Sequence, residues 1–364
     1  MRLLFAESSI RGYGTEQHIA ALATAMTRRG HDVRCLVIAG SPVATLLQEA
    51  GVATMPVGPG PARGLRIAAA LLRLAIPRRP DWMISNDPRF YRMLLAVRAL
   101  TGARVAIFRH WHDAPAKPHA RDLLSRRTDR FILVSQFHKQ DYRRQGMSVE
   151  RASVLYNPID TGRFRPSPAA RAGTRSRLGF GESDVVVGYV GRMIEAKGIV
   201  TLLDAAERFL AADAAVRVLW VGDGEDATAL RDRIARSPDA GRHRFLGWQA
   251  DMAALYPALD ILAVPSLYPE PFGRVSVEAQ ATAIPVASSL AGGLPETFVD
   301  DSTGIGVAPG DAEGLASAIL TLARDPERRL RMGAAGREWA VERFSLEHIA
   351  RDFERLLAAG QGID

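Results

Sequence analysis

The sequence predicts an α/β protein built from two doubly wound parallel-sheet domains, and three observations support this class. Short apolar runs without polar alternation recur along the chain, as expected for parallel strands buried on both faces. Helical patterns fill the gaps between these runs, which is the rhythm of βαβ units. The length of 364 residues favours two domains over one.

The first series of strands occupies the N-terminal half of the chain. Its candidates are Arg2–Ala6, Asp32–Ile38, Trp82–Ser85, Arg104–Phe108, Phe131–Val134 and Ser153–Tyr156. Helical patterns lie between them, for example at Gln17–Arg29 and Ala120–Arg127. We therefore expect a Rossmann-like N-terminal domain over residues 1–165.

The second series follows the one break in this rhythm. Residues 157–184 are rich in Pro, Gly, Ser and Arg, which predicts an inter-domain linker and the entry to a second domain. A helical pattern at Val200–Ala211 belongs to this series, whose strand candidates are Val185–Val190, Arg217–Val221, His243–Leu246, Ile261–Pro265, Pro285–Ala287 and Gly306–Val307. We expect a second Rossmann-like domain over 166–345, facing the first across a cleft. A final helix over 346–364 should pack at the domain junction.

Composition narrows the classes of partner. The net charge is +7, mostly through arginine, and a basic surface favours nucleotides, phosphates or acidic lipid. The basic stretch Arg63–Pro80 resembles an interfacial amphipathic helix, and a crossover helix with a solvated basic face is the alternative. We expect neither nucleic-acid binding nor a metal site, because interleaved aromatics and zinc-ligand clusters are missing from the sequence.

The sequence also bears on the cellular compartment. Its apolar N-terminal run reaches Glu7 at once, which is too short for a secretory signal. No stretch approaches the roughly 18 consecutive apolar residues of a membrane span. The single cysteine, Cys35, excludes an internal disulfide and fits a reducing compartment. We expect a cytoplasmic protein that is soluble or peripheral at the inner face of the membrane.

The loop Glu7–Ile19 follows the first strand, where ligands of parallel sheets bind. Gly12 and Gly14 allow a tight turn and a close approach of backbone to ligand. A dinucleotide fingerprint needs a third glycine where Gln17 stands, which argues against NAD. A simple strand–helix turn and a ligand-facing turn both remain open.

Two cations follow the first strand of the second series. Arg192 and Lys197 lie in the Gly-flanked stretch GYVGRMIEAKG, where a helix begins. Cations near a helix N-terminus favour a phosphate or diphosphate, and solvated surface charge is the alternative. Trp248 follows a later strand and either flanks a base or packs.

Two carboxylates stand eight residues apart in EPFGRVSVE. Glu270 lies in the loop after a buried strand, and Glu278 lies about one turn into the following helix. Amides from Phe272 to Val275, including those of Gly273 and Arg274, would hold an anion at the helix start. We expect the cations to hold a diphosphate and the acids to hold sugar hydroxyls.

Taken together, these segments resemble the family 4 retaining glycosyltransferases of the GT-B fold. The matching stretches span the chain and are YGTEQHI, VSQF, YNPIDTGRFRP, GYVGRMIEAKG, VGDG, PSLYPEPFGRVSVEAQATAIPV, GGLPE and STGIGVAPGD. Three positions depart from the family pattern: Tyr13 where a Gly pair is usual, Ala283 for a frequent Gly, and Pro158 in NPID for the common NGID.

The resemblance implies roles for individual residues. Arg192 and Lys197 would contact the diphosphate, Glu278 the ribose and Glu270 the donor sugar. The amides of residues 272–275 would hold the sugar and phosphate, with Gly14 approaching from the first domain. In FRHWHDAP, His112 is preferred over His110 as the histidine facing the donor sugar, and a hydrogen-bonded structural histidine is the alternative.

The implied reaction is retaining transfer of a sugar from a nucleoside-diphosphate sugar to an acceptor hydroxyl, without a metal or other cofactor. The acceptor would be a sugar or a lipid-linked sugar in polysaccharide, lipopolysaccharide or glycolipid synthesis, bound by the first domain, with an anionic membrane surface as a further partner. The rival hypotheses are a nucleotide-sugar epimerase of the same fold and a non-enzymatic nucleotide-binding protein.

Overall fold

The computed structural model describes residues 1–7, 14–58, 63–87, 90–109 and 127–359. The chain divides into two compact domains. The first contains Met1–Pro158 and Leu346–Asp364, and the second contains Ile159–Ser345. The chain thus enters the second domain before residue 165, and the C-terminal helix belongs to the first domain.

The elements alternate in chain order, as the βαβ rhythm predicts. The strands are β1 (Arg2–Ala6), β2 (Asp32–Ile38), β3 (Ala53–Val57), β4 (Trp82–Ser85), β5 (Arg104–Arg109), β6 (Arg130–Leu133), β7 (Ala152–Val154), β8 (Val185–Val190), β9 (Val216–Val221), β10 (His243–Phe245), β11 (Ile261–Val264), β12 (Val286–Ser289) and β13 (Gly304–Val307). The described helices are α1 (Gly14–Arg28), α2 (Pro42–Glu49), α3 (Arg63–Arg78), α4 (Tyr91–Thr101), α5 (Gln136–Arg144), α6 (Pro168–Leu178), α7 (Ile199–Ala212), α8 (Ala227–Ala235), α9 (Arg274–Ala281), α10 (Ala312–Arg324), α11 (Pro326–Phe344) and α12 (Leu346–Ala358).

The first domain contains a parallel sheet in the order β3-β2-β1-β4-β5-β6-β7. Strand β3 is one that the sequence pattern does not reveal. It is an edge strand that contains Pro56, and most of its residues are only partly buried or exposed. A proline is tolerated at an edge because one side of that strand makes no ladder bonds. The strand therefore lacks the apolar run that marks the central ones.

The second domain contains a parallel sheet in the order β10-β9-β8-β11-β12-β13. The chain runs outward in one direction from β8 and then in the other from β11. Strands β8 and β11 are therefore the neighbours at which the order reverses, and ligands of open parallel sheets bind at such a point. The prediction of two doubly wound parallel-sheet domains is confirmed, and their facing across a cleft stays a prediction.

The hydrophobic core of the first domain covers both faces of its sheet. Leu4 and Ala6 belong to one buried cluster, whereas Leu3 and Phe5 belong to the other. Successive side chains of a strand point to opposite faces, so both faces of β1 are buried. This double burial is the physical reason why the strands show apolar runs without alternation.

The stretch 157–184, predicted to be a linker and the entry to the second domain, contains in its central part helix α6 of that domain, which its composition does not indicate. Ser167 caps this helix by accepting from the Ala170 N–H, and Pro168 stands in its first turn. Both are ordinary signals for a helix start. The arginines of this segment are typical of a solvated linker. Arg175, however, is buried and donates to Asp260 at 3.0 Å.

Helix α12 packs on the first domain. Its Ile349, Phe353 and Leu357 join the buried cluster that contains Phe5. The Trp82 indole Nε1 donates to the Leu357 carbonyl at 3.0 Å. Of the helix expected at Ala120–Arg127, all but the last residue lies outside the described residues.

Candidate functional site

The candidate site lies at the carboxyl edge of the second sheet. Arg192 and Lys197 follow β8, and Glu270 follows β11. These two strands pair directly, with Ala263 opposite Tyr189. The fold therefore brings the cationic loop and the acidic loop together at the point where the strand order reverses.

Lys197 and Glu270 form an ion pair at the centre of this site. The Lys197 ammonium donates to Glu270 Oε1 and also lies over the Tyr268 ring, 4.9 Å from its centroid. Ser266 Oγ donates to the same Glu270 oxygen at 2.6 Å, and the Tyr268 hydroxyl donates to Oε2 at 3.1 Å. Glu270 is buried, so these donors hold a carboxylate that has little access to water.

A close backbone contact at Gly198 brings the two loops together. Gly198 has φ +74°, and a Cβ built on it would lie 1.8 Å from the Pro265 carbonyl oxygen. The Leu267 N–H donates to the Ala196 carbonyl at 3.0 Å. Only glycine fits such a position, because any side chain would force the loops apart.

A second close contact fixes the backbone of Glu270. Gly292 has φ +65°, and a Cβ on it would lie 2.4 Å from the Glu270 carbonyl oxygen. That carbonyl accepts from the Gly293 N–H at 2.7 Å. Gly292 and Gly293, which open the stretch GGLPE after β12, thus fix the backbone of Glu270.

The start of α9 offers backbone donors beside the acidic loop. Gly273 has φ +114° and precedes the first helical residue. The N–H groups of Gly273 and Val275 make no hydrogen bond within the part of the chain that the structure describes. Phe272 is buried, with its ring edge-on to Phe344 at 5.6 Å. The helix start therefore combines partial positive charge with available donors, which suits an anion.

Glu278 lies in the same helix but has different partners. Its Oε1 accepts from Arg274 Nε at 2.6 Å, and its Oε2 accepts from the Tyr256 hydroxyl at 3.0 Å. Glu278 is buried. Within residues 127–359, no hydrogen bond links the carboxylates of Glu270 and Glu278, so each acid has its own set of donors.

Arg192 contrasts with Lys197. Its side chain is exposed, and its guanidinium has no hydrogen bond or ion pair to any residue whose placement is described. The Tyr189 hydroxyl donates to the Arg192 carbonyl at 2.6 Å and so anchors the loop. Burial raises the pKa of Tyr189 above its ordinary value, which keeps this donor protonated. Arg192 is therefore a cation available to a ligand.

The remaining predicted site residues lie elsewhere. Trp248 follows β10 and is 70% exposed. Gly14 begins α1 in the first domain, whereas His110 and His112 lie outside the described residues. The roles implied for all these residues stay predictions.

The sequence patterns did not indicate three residues of the site, which are Ser266, Tyr268 and Tyr256. Ser266 and Tyr268 stand in PSLYPE just before Glu270, so their spacing was a usable signal. Tyr256 stands twenty-two residues before Glu278, and only the tertiary structure brings the two together. Among the described residues, no group of three or more His, Cys, Asp or Glu side chains is placed to hold a metal ion.

Comparison with known proteins identifies the family. The family model Glycosyl transferases group 1 matches residues 171–339, and Glycosyltransferase Family 4 matches 13–163. A GDP-mannose-dependent alpha-(1-6)-phosphatidylinositol monomannoside mannosyltransferase of Mycobacterium tuberculosis is 34% identical over 275 residues, covering 71% of this chain and 70% of that protein. The chain belongs to the family 4 glycosyltransferases. The predicted glycosyltransferase activity is therefore confirmed, and neither rival hypothesis is favoured.

Other relatives of this family 4 glycosyltransferase extend the picture. The lipopolysaccharide core biosynthesis glycosyltransferase LpsE of Rhizobium meliloti is 36% identical over 208 residues, covering 57% of each chain. The crystal structure of HepE of Anabaena in complex with UDP has a TM-score of 0.86 at 25% identity, covering 98% of this chain and 100% of that chain. These likenesses confirm the predicted GT-B class.

Proposed function

We propose that this family 4 glycosyltransferase moves a sugar from a nucleoside-diphosphate sugar to an acceptor hydroxyl with retention of anomeric configuration. The observation that carries the proposal is the arrangement at the strand-order reversal. Lys197 and Arg192 lie in one loop there, the donors of α9 begin beside the next loop, and the two acids are held separately. The M. tuberculosis relative that depends on GDP-mannose and the HepE complex with UDP support a nucleotide-linked donor.

In the proposed site, positive charge faces the diphosphate. Arg192, Lys197 and the amides at the start of α9 would stabilise the charge that develops on the leaving diphosphate, which is usually the largest catalytic term. The bond between the anomeric carbon and the phosphate oxygen breaks through an oxocarbenium-like transition state. The acceptor oxygen then bonds to the anomeric carbon on the same face of the sugar, and its proton passes to the oxygen of the leaving diphosphate.

The two acids would hold neutral hydroxyls. Glu270 would address the transferred sugar, and Glu278 the ribose diol. The Lys197–Glu270 pair would bind the sugar and the diphosphate at the same time. The ammonium has three donor hydrogens and can share them between the carboxylate and a phosphate oxygen. The cations and amides would take the place of a metal ion, so we propose that no metal or other cofactor is needed.

For the acceptor, we propose a lipid-linked sugar reached from an anionic membrane surface at the cytoplasmic face. Helix α3 supports this choice, since its exposed face carries Leu65, Ala69, Arg73 and Ile76 and the helix contains no acidic residue. Apolar side chains flanked by arginines suit a headgroup layer. None of the described helices is both long and apolar enough to cross a membrane.

A donor and product experiment tests the central proposal. Thermal shifts with UDP-, GDP- and ADP-sugars would select the donor, and NMR of the product from a sugar acceptor would report its anomeric configuration. We expect an α-linked donor to give an α-linked product and Glu278→Ala to lose most of the activity. An inverted product, or full activity in that variant, contradicts the proposal. Donor incubated alone separates transfer from isomerisation and hydrolysis.

A further inference from the structure

Glu278 is held by two donors of different kinds. Arg274 donates to Oε1 from one turn earlier on α9, so it moves with the helix that carries Glu278. Tyr256 donates to Oε2 from the short 3₁₀ helix Tyr256–Ala258, a separate element. Arg274 therefore ties the carboxylate to its own helix, whereas Tyr256 ties it to the rest of the domain.

Tyr256 is a fixed group. Its side chain is completely buried, and its ring meets Phe164 edge-on at a centroid distance of 6.0 Å. Burial, followed by the nearby Glu278 charge, raises the pKa of the phenol well above its ordinary value. The hydroxyl thus keeps its proton at neutral pH and donates a hydrogen bond to Glu278.

The carboxylate can still accept further hydrogen bonds. An ionised carboxylate offers about four lone-pair sites, and these two protein donors occupy one on each oxygen. One acceptor site on each oxygen remains, which matches a vicinal diol that donates two hydrogen bonds. A carboxylate free to rotate about its last bond would not keep both sites facing the same diol.

We propose that Tyr256 is a positioning residue that orients Glu278 toward the 2′ and 3′ hydroxyls of the donor ribose. This role rests on the proposed function, in which Glu278 binds the ribose. Tyr256 itself does not touch the donor, since it is completely buried behind Glu278. Its contribution is to increase discrimination between ribose and deoxyribose.

The test measures that discrimination in the full-length protein. The dissociation constants of UDP, GDP and ADP would be compared with those of their 2′-deoxy counterparts. For the nucleotide that binds best, we expect the wild-type protein to bind the 2′-deoxy form about tenfold or more weakly, because a hydrogen bond to a charged group is lost. In Tyr256→Phe this ratio should fall to about threefold or less. The donor KM should rise with little change in kcat.

A matched control removes a different buried hydroxyl near the same segment. Thr174 Oγ1 donates to the Ala254 carbonyl at 3.3 Å, and among the described residues no hydrogen bond joins Thr174 to Glu278. Thr174→Val should keep the wild-type ratio even where it lowers the melting temperature. A Tyr256→Phe protein that melts lower but keeps the full ratio would show a merely structural role and overturn the proposal.

Two variants of Glu278 separate the possible failures. If Glu278→Ala binds the ribose nucleotide in preference to its 2′-deoxy form as strongly as the wild type does, the assignment of Glu278 to the ribose is overturned. If Glu278→Ala loses the preference for the ribose nucleotide while Tyr256→Phe keeps it, only the positioning role of Tyr256 is overturned. Should Tyr256→Phe not fold, Glu278→Asp keeps the charge but is too short to hold both donors, and full discrimination in that variant contradicts the proposal.

Discussion

Lys197 donates to Glu270 across seventy-three residues of sequence, and the contact joins the loops after two neighbouring strands. Ser266 and Tyr268 donate to the same carboxylate. The charge of Lys197 is therefore partly balanced before a donor arrives, while that of Arg192 is not. The first prediction concerns Lys197.

Lys197→Ala should lower kcat by about 10²-fold or more, because a positioned charge that stabilises the leaving diphosphate is lost. The fold should survive, since Glu270 keeps its bonds from Ser266 and Tyr268. Steady-state rates and melting temperatures measure the two effects. Arg208→Ala, which removes an exposed cation from α7, should change neither. A wild-type rate in Lys197→Ala would show that Lys197 does not contribute to catalysis.

Gly292→Ala should damage both stability and activity. The positive φ alone costs a side chain about 1–2 kcal/mol, and the new methyl group meets the Glu270 carbonyl. Chemical denaturation and turnover measure these losses. Gly173→Ala is the matched control, because Gly173 lies within α6 with open space around it and should gain about 0.5–1 kcal/mol. Equal stability of the two variants would contradict the close approach.

Chelators should leave the transferase rate unchanged. Arg192, Lys197 and the amides at the start of α9 would supply the positive charge that a divalent ion supplies in other enzymes. Rates would be compared after exhaustive dialysis against EDTA and after adding back Mg²⁺ or Mn²⁺. A rate that falls with EDTA and returns with a metal ion would contradict this prediction.

Stability should fall on mild acidification because of His243. This residue is buried, and its Nδ1 accepts from the Trp220 indole at 3.1 Å. Burial is the main cause that lowers the pKa of His243 from 6.5 to about 4, with Asp239 raising it and Arg242 lowering it. The unfolded chain therefore binds a proton before the folded one does. Stability present above pH 6.5 is lost progressively as the pH falls toward about 4.

The size of this loss should be on the order of 3 kcal/mol. Urea denaturation at a series of pH values measures it. His243→Gln removes the titrating group, so its stability should depend less steeply on pH in this window. Identical steepness in wild type and His243→Gln would disprove the assignment.

Vesicles containing acidic phospholipid should bind the protein at low salt through α3. Leu65 is 77% exposed and Ile76 is 52% exposed, and Arg73 lies on the same face. Combining Leu65→Ser, Ile76→Ser and Arg73→Glu should abolish sedimentation with the vesicles, and added salt should weaken the wild-type binding. The control combines Leu330→Ser with Arg208→Glu, two exposed positions in the second domain. Failure of the wild-type protein to sediment with the vesicles would refute the membrane proposal.

Much of the fold could be predicted because strands that are buried on both faces consist of continuous apolar residues. The central strands are covered on both faces, so their apolar runs marked nearly all of them. Edge strand β3 and helix α6 were not recognised, since Pro56 and the arginines of α6 mimic loop composition. In α6 the hidden information is tertiary: buried Arg175 donates to the Asp260 carboxylate and to the carbonyls of Gly181 and Asp184.

The sequence by itself determined the α/β class, the family and the loops that carry the proposed site, because strand burial and short motifs are local properties. Only the tertiary structure decided the partners within the site. It paired Lys197 with Glu270 and Tyr256 with Glu278, through strand order, close loop contacts and a buried ring. Contacts between distant segments depend on how the whole domain packs, and no local pattern encodes them.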